Sequence, residues 1–234
     1  MNTNMPIFVN DLHAENQPNY DPALAAGQGV QVTLHKTSQG VGWVPDGFKD
    51  LFLECDKHMR LNGFYHFLDS TASGAAQAMH MVEVMRRVGG ARGHLVAVDF
   101  EPYRDPNGSW DFSPTNQHLK DFVRVFKAEM GGHPVIGYSF ANFWNGEDPT
   151  GPARDYGLDA LWEARVALMQ ERKRNPKQYY HQLLESGFYH WSTSFGGMQP
   201  IMWQYTWGGL FGDEYLDCSA CRVPWSDLEA LAVS

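Results

Sequence analysis

The chain has 234 residues, a length that suits one domain of barrel size or two small ones. Hydrophobic residues make up 43% and charged residues 19%, ordinary values for a globular protein with a real core. The formal net charge of −9 argues against nucleic acid as a partner, because a phosphate-binding surface needs clustered Lys and Arg. The one basic run, Glu171-Arg172-Lys173-Arg174, is short and reads as a solvated face of a polar, helix-like segment.

Aromatic residues reach 14%, with 8 Trp and 10 Tyr. That richness fits core packing, and it also fits flat rings stacked on the apolar faces of pyranose sugars. The start, Met1-Asn-Thr-Asn-Met-Pro6, lacks the basic residues and apolar stretch of a secretory signal. No apolar run approaches the roughly 20 residues of a membrane span. The expectation is a soluble chain made in the cytoplasm, with no membrane insertion. Cys55, Cys218 and Cys221 are an odd number and no disulfide framework. Cys218-Ser-Ala-Cys221 supplies half of a tetrahedral zinc site and no second pair exists. Free thiols in a reducing compartment are expected, with no metal and no cofactor.

In chain order, residues 6–10 read as a strand, and so do residues 30–35, where Val30, Val32 and Leu34 alternate with polar residues. A helix is expected over 46–61, an apolar strand over 63–68, and a helix over 71–88. Residues 94–100 form the next strand. Ser113 is read as the N-cap of a helix running to residue 130, with Pro114 in its first turn. Strands follow over 134–139, 159–166 and 200–206, with a last one near 215–217. Residues 170–194 read as a long polar excursion between strands.

This alternation favours a parallel sheet with helices outside, and about eight strands at this length predict a compact α/β barrel. Its second half has little room for helices. No linker or repeat separates a second domain, so residues 1–234 are read as one domain.

In a parallel barrel, reactive groups stand at the C-terminal ends of strands. The residues expected there are Asp11, Lys36, Tyr65-His66, Asp99 with Glu101, Tyr138 and Asp217. Asp99 and Glu101 are two apart, so on a strand both point to one face, with Cβ atoms roughly 6–7 Å apart. Val96 and Val98 before them are expected to pack inside the barrel. Two neighbouring carboxyls raise the pKa of one, which suits a general acid. The first and last strands of a closed barrel are neighbours, so Asp11 and Asp217 should lie side by side across the mouth. Four acids around one pocket are a glycosidase-like arrangement; a hard-metal site is the alternative, and nearby Tyr and Trp favour sugar over metal.

Taken in order, these residues resemble glycoside hydrolase family 25, the Chalaropsis-type lysozymes. Phe8-Val-Asn-Asp11 resembles the opening strand. His35-Lys-Thr-Ser-Gln-Gly40 resembles the Lys-Ala-Thr-(Glu/Gln)-Gly segment, and Gly63-Phe-Tyr-His-Phe67 the Gly-Tyr-Tyr-His-Phe strand. Val98-Asp-Phe-Glu101 matches the Asp-x-Glu signature. Leu161-Trp-Glu-Ala164 resembles Leu-Trp-Ile-Ala. Trp203-Gln-Tyr-Thr206 with Leu216-Asp217 matches the closing pattern. Asn10-Asp11-Leu-His13 departs from the usual Ile-Asp-Val-Ser, and residues 170–197 are longer than the family pattern.

The resemblance implies an irregular (β/α)5(β)3 barrel and hydrolysis of the β-1,4 bond between N-acetylmuramic acid and N-acetylglucosamine of peptidoglycan. It implies Glu101 as proton donor, Asp99 as partner of the substrate's acetamido group, and Asp217 and Asp11 as further pocket acids. Tyr65, Tyr138, Trp162, Gln204, Tyr205 and Lys36 are candidate substrate-binding residues, and His66 a structural hydrogen-bonder. The partner implied is the peptidoglycan glycan strand. The setting implied is a phage endolysin with a separate holin-type release route, or an enzyme carried on the virion. A chitinase-like hydrolase, a catalytically silent glycan-binding barrel and a carboxylate-bound metal hydrolase are the competing readings.

Overall fold

A computed structural model describes residues 6–105, 107–146, 150–166, 175–188, 191–192, 195–211 and 213–233. Eight strands close into a barrel in chain order. They are β1 (Ile7–Leu12), β2 (Val30–Gln39), β3 (Leu61–Phe67), β4 (Leu95–Asp99), β5 (Ile136–Ser139), β6 (Ala160–Ala164), β7 (Met202–Phe211) and β8 (Glu214–Cys221). Neighbours from β1 to β7 pair in parallel. Strand β8 runs antiparallel to both β7 and β1 and closes the seam.

One helix follows each of the first five strands: α1 (Pro22–Gly27), α2 (Phe48–His58), α3 (Gly74–Arg86), α4 (Asn116–Glu129) and the single turn α5 (Ala141–Trp144). Helix α6 (Pro176–Glu185) stands in the excursion between β6 and β7, and α7 (Trp225–Ala230) follows β8. The basic run at 171–174 lies outside the described residues. The barrel expectation is met in strand number and order, and β7 with β8 forms the helix-free stretch expected there.

Local chemistry starts these helices. The Asp21 side chain accepts from Leu24 N and Pro22 occupies the first turn of α1. Ser73 caps α3 in the same way. For α4 the cap is Thr115, paired with His118 in a reciprocal box, rather than Ser113. The Ser113 hydroxyl is engaged elsewhere, accepting from Tyr103 N at 3.0 Å.

Two apolar layers meet across the strands. Inside, Ile7, Val9, Val32, Leu34, Leu95, Ala97, Ile136, Ala160 and Met202 fill the barrel. Outside, Phe64, Val96, Val98, Phe122 and Phe126 pack under α2, α3 and α4. A second outer cluster joins Phe8, Tyr180, Leu183, Trp203 and Tyr205 against α6. Gly63 lies where a side chain would meet Leu95 O at 2.7 Å, so only hydrogen fits at that interior position.

Side-chain parity corrects two expectations. Val96 and Val98 face the helices, and it is Leu95 and Ala97 that share the inward face with Asp99. Tyr205 also points outward, against Tyr180 and Trp203, and lines no part of the pocket. Adjacent strand residues point to opposite faces, so Gln204 and Tyr205 cannot both reach the mouth.

Candidate active site

The interior strand faces carry apolar residues low in the barrel and polar residues at the mouth. On β1 the inward series is Ile7, Val9, Asp11; on β4 it is Leu95, Ala97, Asp99. Strand β8 enters from the opposite direction, so Asp217 comes early on it and Cys221 packs low in the barrel. Register places Asp11 opposite Asp217 and Asp99 beside both Phe67 and Tyr138. Glu101 stands two residues on, beyond the end of β4, and lines the mouth.

The result is a cavity of about 310 Å³. Asp11, Asp99, Glu101, Asp217, Lys36, Tyr65, Tyr138, Trp162 and Gln204 all line it. Sequence reasoning missed His13, Asn16, Gln17, Phe67, Trp207, Tyr215 and Leu216, which complete the wall. Phe67 could have been found, being two after Tyr65 on one strand. Trp207 is 48% exposed and belongs to the β7–β8 hairpin, which no local pattern aims at the mouth. A second cavity shares Glu101, Tyr138 and Trp207, and a third shares His13 and Lys36, so the three form one groove across the mouth.

One hydrogen-bond chain fixes the seam. Tyr138 OH donates to Gln204 Oε1 at 2.9 Å, and Gln204 Nε2 donates to Asp11 Oδ2 and Asp217 Oδ2, each at 3.2 Å. A buried amide donor between two carboxyls favours charge on the pair. Burial and Asp217 push Asp11 well above the usual carboxylate range, whereas Asp217, raised mainly by burial, is held to about 6 by its hydrogen bond with Asp11. Asp11 therefore keeps the proton and Asp217 is the more readily ionised partner.

The β4 pair differs. Asp99 is 7% exposed and its Oδ1 has no hydrogen-bond partner among the described residues. Burial first, then Glu101, push its carboxyl well above the usual range, with Lys36 pulling the other way. Glu101 is pushed up to about 7 by burial and by Asp217, again opposed by Lys36. Lys36 itself is lowered by burial, an effect the facing carboxylates partly offset. Its Nζ donates to Gln39 Oε1 at 2.9 Å and sits 4.4 Å above the Phe67 ring and 5.1 Å above Trp43. The ammonium is thus held by rings, close enough to tune the acids without neutralising one of them.

His66 behaves as a structural residue. It is buried between Ser38 Oγ at 2.9 Å and Gln77 Oε1 at 3.1 Å, and burial drives its pKa down to about 3. All three cysteines are free and buried. Among the described residues, no group of three or more His, Cys, Asp and Glu could hold a metal ion. No helix among them is long and apolar enough to cross a membrane.

A carboxyl near half-protonation at neutral pH, beside a buried acid with a free acceptor, is equipped for proton transfer to a glycosidic oxygen. The family-wide sequence profile described as Glycosyl hydrolases family 25 matches residues 13–213. The chain belongs to glycosyl hydrolase family 25. The match contains Asp99 and Glu101; Asp11 and Asp217 lie just outside it, and the barrel seam brings them to the site of this family 25 member. No curated protein matches the chain significantly. Among solved structures, the lysozyme of Streptomyces coelicolor is 18% identical with a TM-score of 0.73, covering 98% of each chain. A muramidase from Acremonium alcalophilum is 21% identical with a TM-score of 0.71, covering 97% of this chain and 98% of that one. The catalytic domain of an endolysin from a Listeria monocytogenes bacteriophage is 18% identical with a TM-score of 0.65, covering 99% and 100%. These neighbours share the closed barrel of this glycosyl hydrolase.

Proposed function

We propose that this family 25 glycosidase is a muramidase, cleaving the β-1,4 bond between N-acetylmuramic acid and N-acetylglucosamine in peptidoglycan strands. The observation that carries the reading is Glu101, raised to about 7 over a groove and set beside Asp99 with its unpartnered Oδ1. Family membership and the neighbours named lysozyme and muramidase support the substrate class.

In this mechanism Glu101 donates its proton to the oxygen leaving with N-acetylglucosamine. The acetamido carbonyl oxygen of N-acetylmuramic acid attacks the anomeric carbon as that bond breaks. Asp99 Oδ1 accepts the acetamido N–H and so orients the attacking group. Water then attacks the anomeric carbon, Glu101 takes its proton, and the acetamido group is restored, with retained configuration. Such substrate-assisted retention is a known exception to the two-carboxylate scheme. Asp217 keeps Glu101 protonated near neutral pH, and Asp11 holds Asp217 in place through the shared proton and Gln204.

A role in phage lysis extends this reading, supported by the Listeria phage neighbour. In it the enzyme reaches the wall through a separate holin-type route or on the particle. The deciding experiment is mass analysis of digested peptidoglycan. New reducing ends on N-acetylmuramic acid are expected, absent with Glu101→Gln. Reducing ends on N-acetylglucosamine, or none from the wild type, would overturn the assignment.

A further inference from the structure

Three rings outside the catalytic cavity, Tyr103, Trp110 and Phe112, gather on one loop. After Glu101 the chain makes an antiparallel excursion before α4. Phe112 N donates to Tyr103 O at 2.7 Å, Asp105 N donates to Trp110 O at 3.0 Å, and Arg104 bridges to Asp111 between them. Side chains alternate along such a pair. Tyr103, Trp110 and Phe112 therefore share one side, and Arg104 and Asp111 take the other.

The rings of the aromatic side pack on one another. Trp110 and Phe112 stack with centroids 5.3 Å apart and planes 22° from parallel, and Tyr103 meets Trp110 edge-on at 5.0 Å. Ser70 N donates to Phe112 O at 2.9 Å, pinning the loop to the β3–α3 connection. Even so, Trp110 stays 39% and Phe112 41% exposed. Exposed apolar surface rimmed by polar groups marks a binding groove. Phe112 and Tyr103 wall a cavity of about 540 Å³ with Asp69 and Thr71 at its rim. That cavity shares Lys36 and His13 with the catalytic one, and Tyr103 meets Phe67 edge-on at 5.4 Å, linking the rings to the acids.

We propose that Phe112, backed by the stacked Trp110, forms a distal subsite for a sugar of the same glycan strand, beyond the pair flanking the scissile bond. The inference rests on the muramidase reading, and the continuity of the groove selects the occupant. Rings already stacked lose little freedom on binding, so the contact favours affinity for long chains.

The test measures binding of peptide-free peptidoglycan chains, sorted by length, to Glu101→Gln protein, which leaves them intact. The quantity read is the ratio of long-chain to tetrasaccharide affinity. Adding Trp110→Ala and Phe112→Ala together is expected to lower that ratio about tenfold, equivalent to about 1.4 kcal/mol. Arg104→Ala, on the opposite side of the loop, should leave the ratio unchanged, and thermal unfolding confirms that each variant is folded. An unchanged ratio in the folded double variant, whether both affinities fall together or neither falls, overturns the proposal. Hydrolysis by the wild type is scored separately, so loss of the muramidase reading is distinguishable from loss of the subsite.

Discussion

The two sides of the barrel mouth reach the same pocket by different routes. On the helix-covered side, every strand is parallel and offers its C-terminal end, so β2, β3, β4 and β5 contribute Lys36, Tyr65, Asp99 and Tyr138. On the strand-rich side, β8 runs backwards and offers its beginning, which sets Asp217 directly against Asp11. The parallel side sets two acids in sequence at the end of one strand and tunes them with a caged lysine. The antiparallel side holds acids together and lets them share a proton. The lesson is that strand direction decides whether two carboxyls at a barrel mouth act as neighbours or as a pair.

The largest expected effect lies on the parallel side. Glu101→Gln should cut turnover of purified peptidoglycan by about 10³-fold, the scale of a lost general acid, with the fold kept by circular dichroism. The contrast between sides is sharpened by two variants with opposite signs. Asp217 raises Glu101 and Lys36 lowers it. Asp217→Asn should therefore move the alkaline limb of the kcat/KM–pH profile to lower pH, and Lys36→Met should move it higher. Shifts in the same direction would break the assigned division of labour.

A third expectation concerns stability. Glu101 titrates near its ordinary 4.5 when unfolded and about 7 when folded. Between those values the folded protein holds protons that the unfolded chain has released, so stability falls as pH rises through that window. Glu101→Gln should consequently unfold at a higher temperature than wild type at pH 8, with the difference fading by pH 4. The smallest effect belongs to Tyr205→Phe, which should stay within about twofold of wild-type turnover because that ring lies outside the barrel.

The sequence made the strand order and the four acids legible, because short apolar runs each ended in a polar residue. Parity was not legible. Strands of a parallel barrel are buried on both faces, so the run from Leu95 to Val98 shows no alternation to tell inside from outside. The same loss of contrast misassigned Tyr205. Gln204, two positions after Met202, had the right parity but gave no hint that its one amide bridges Asp11 and Asp217. Helix α6 hid in a polar stretch whose apolar face, Tyr180 and Leu183, is narrow. The Trp110–Phe112 stack depends on a loop pairing that no periodicity encodes.

The seam between β1 and β8 also has a consequence for folding. Those strands lie near opposite ends of the described chain, so their pairing closes the longest loop in the fold. Contacts of such separation carry the largest loop-closure entropy cost in the fold. Asp11 and Asp217 thus meet only as the cylinder shuts. A chain whose seam is open carries Asp99 and Glu101 without the acid that raises Glu101, so closing the cylinder and setting the enzyme's working pH range are one event.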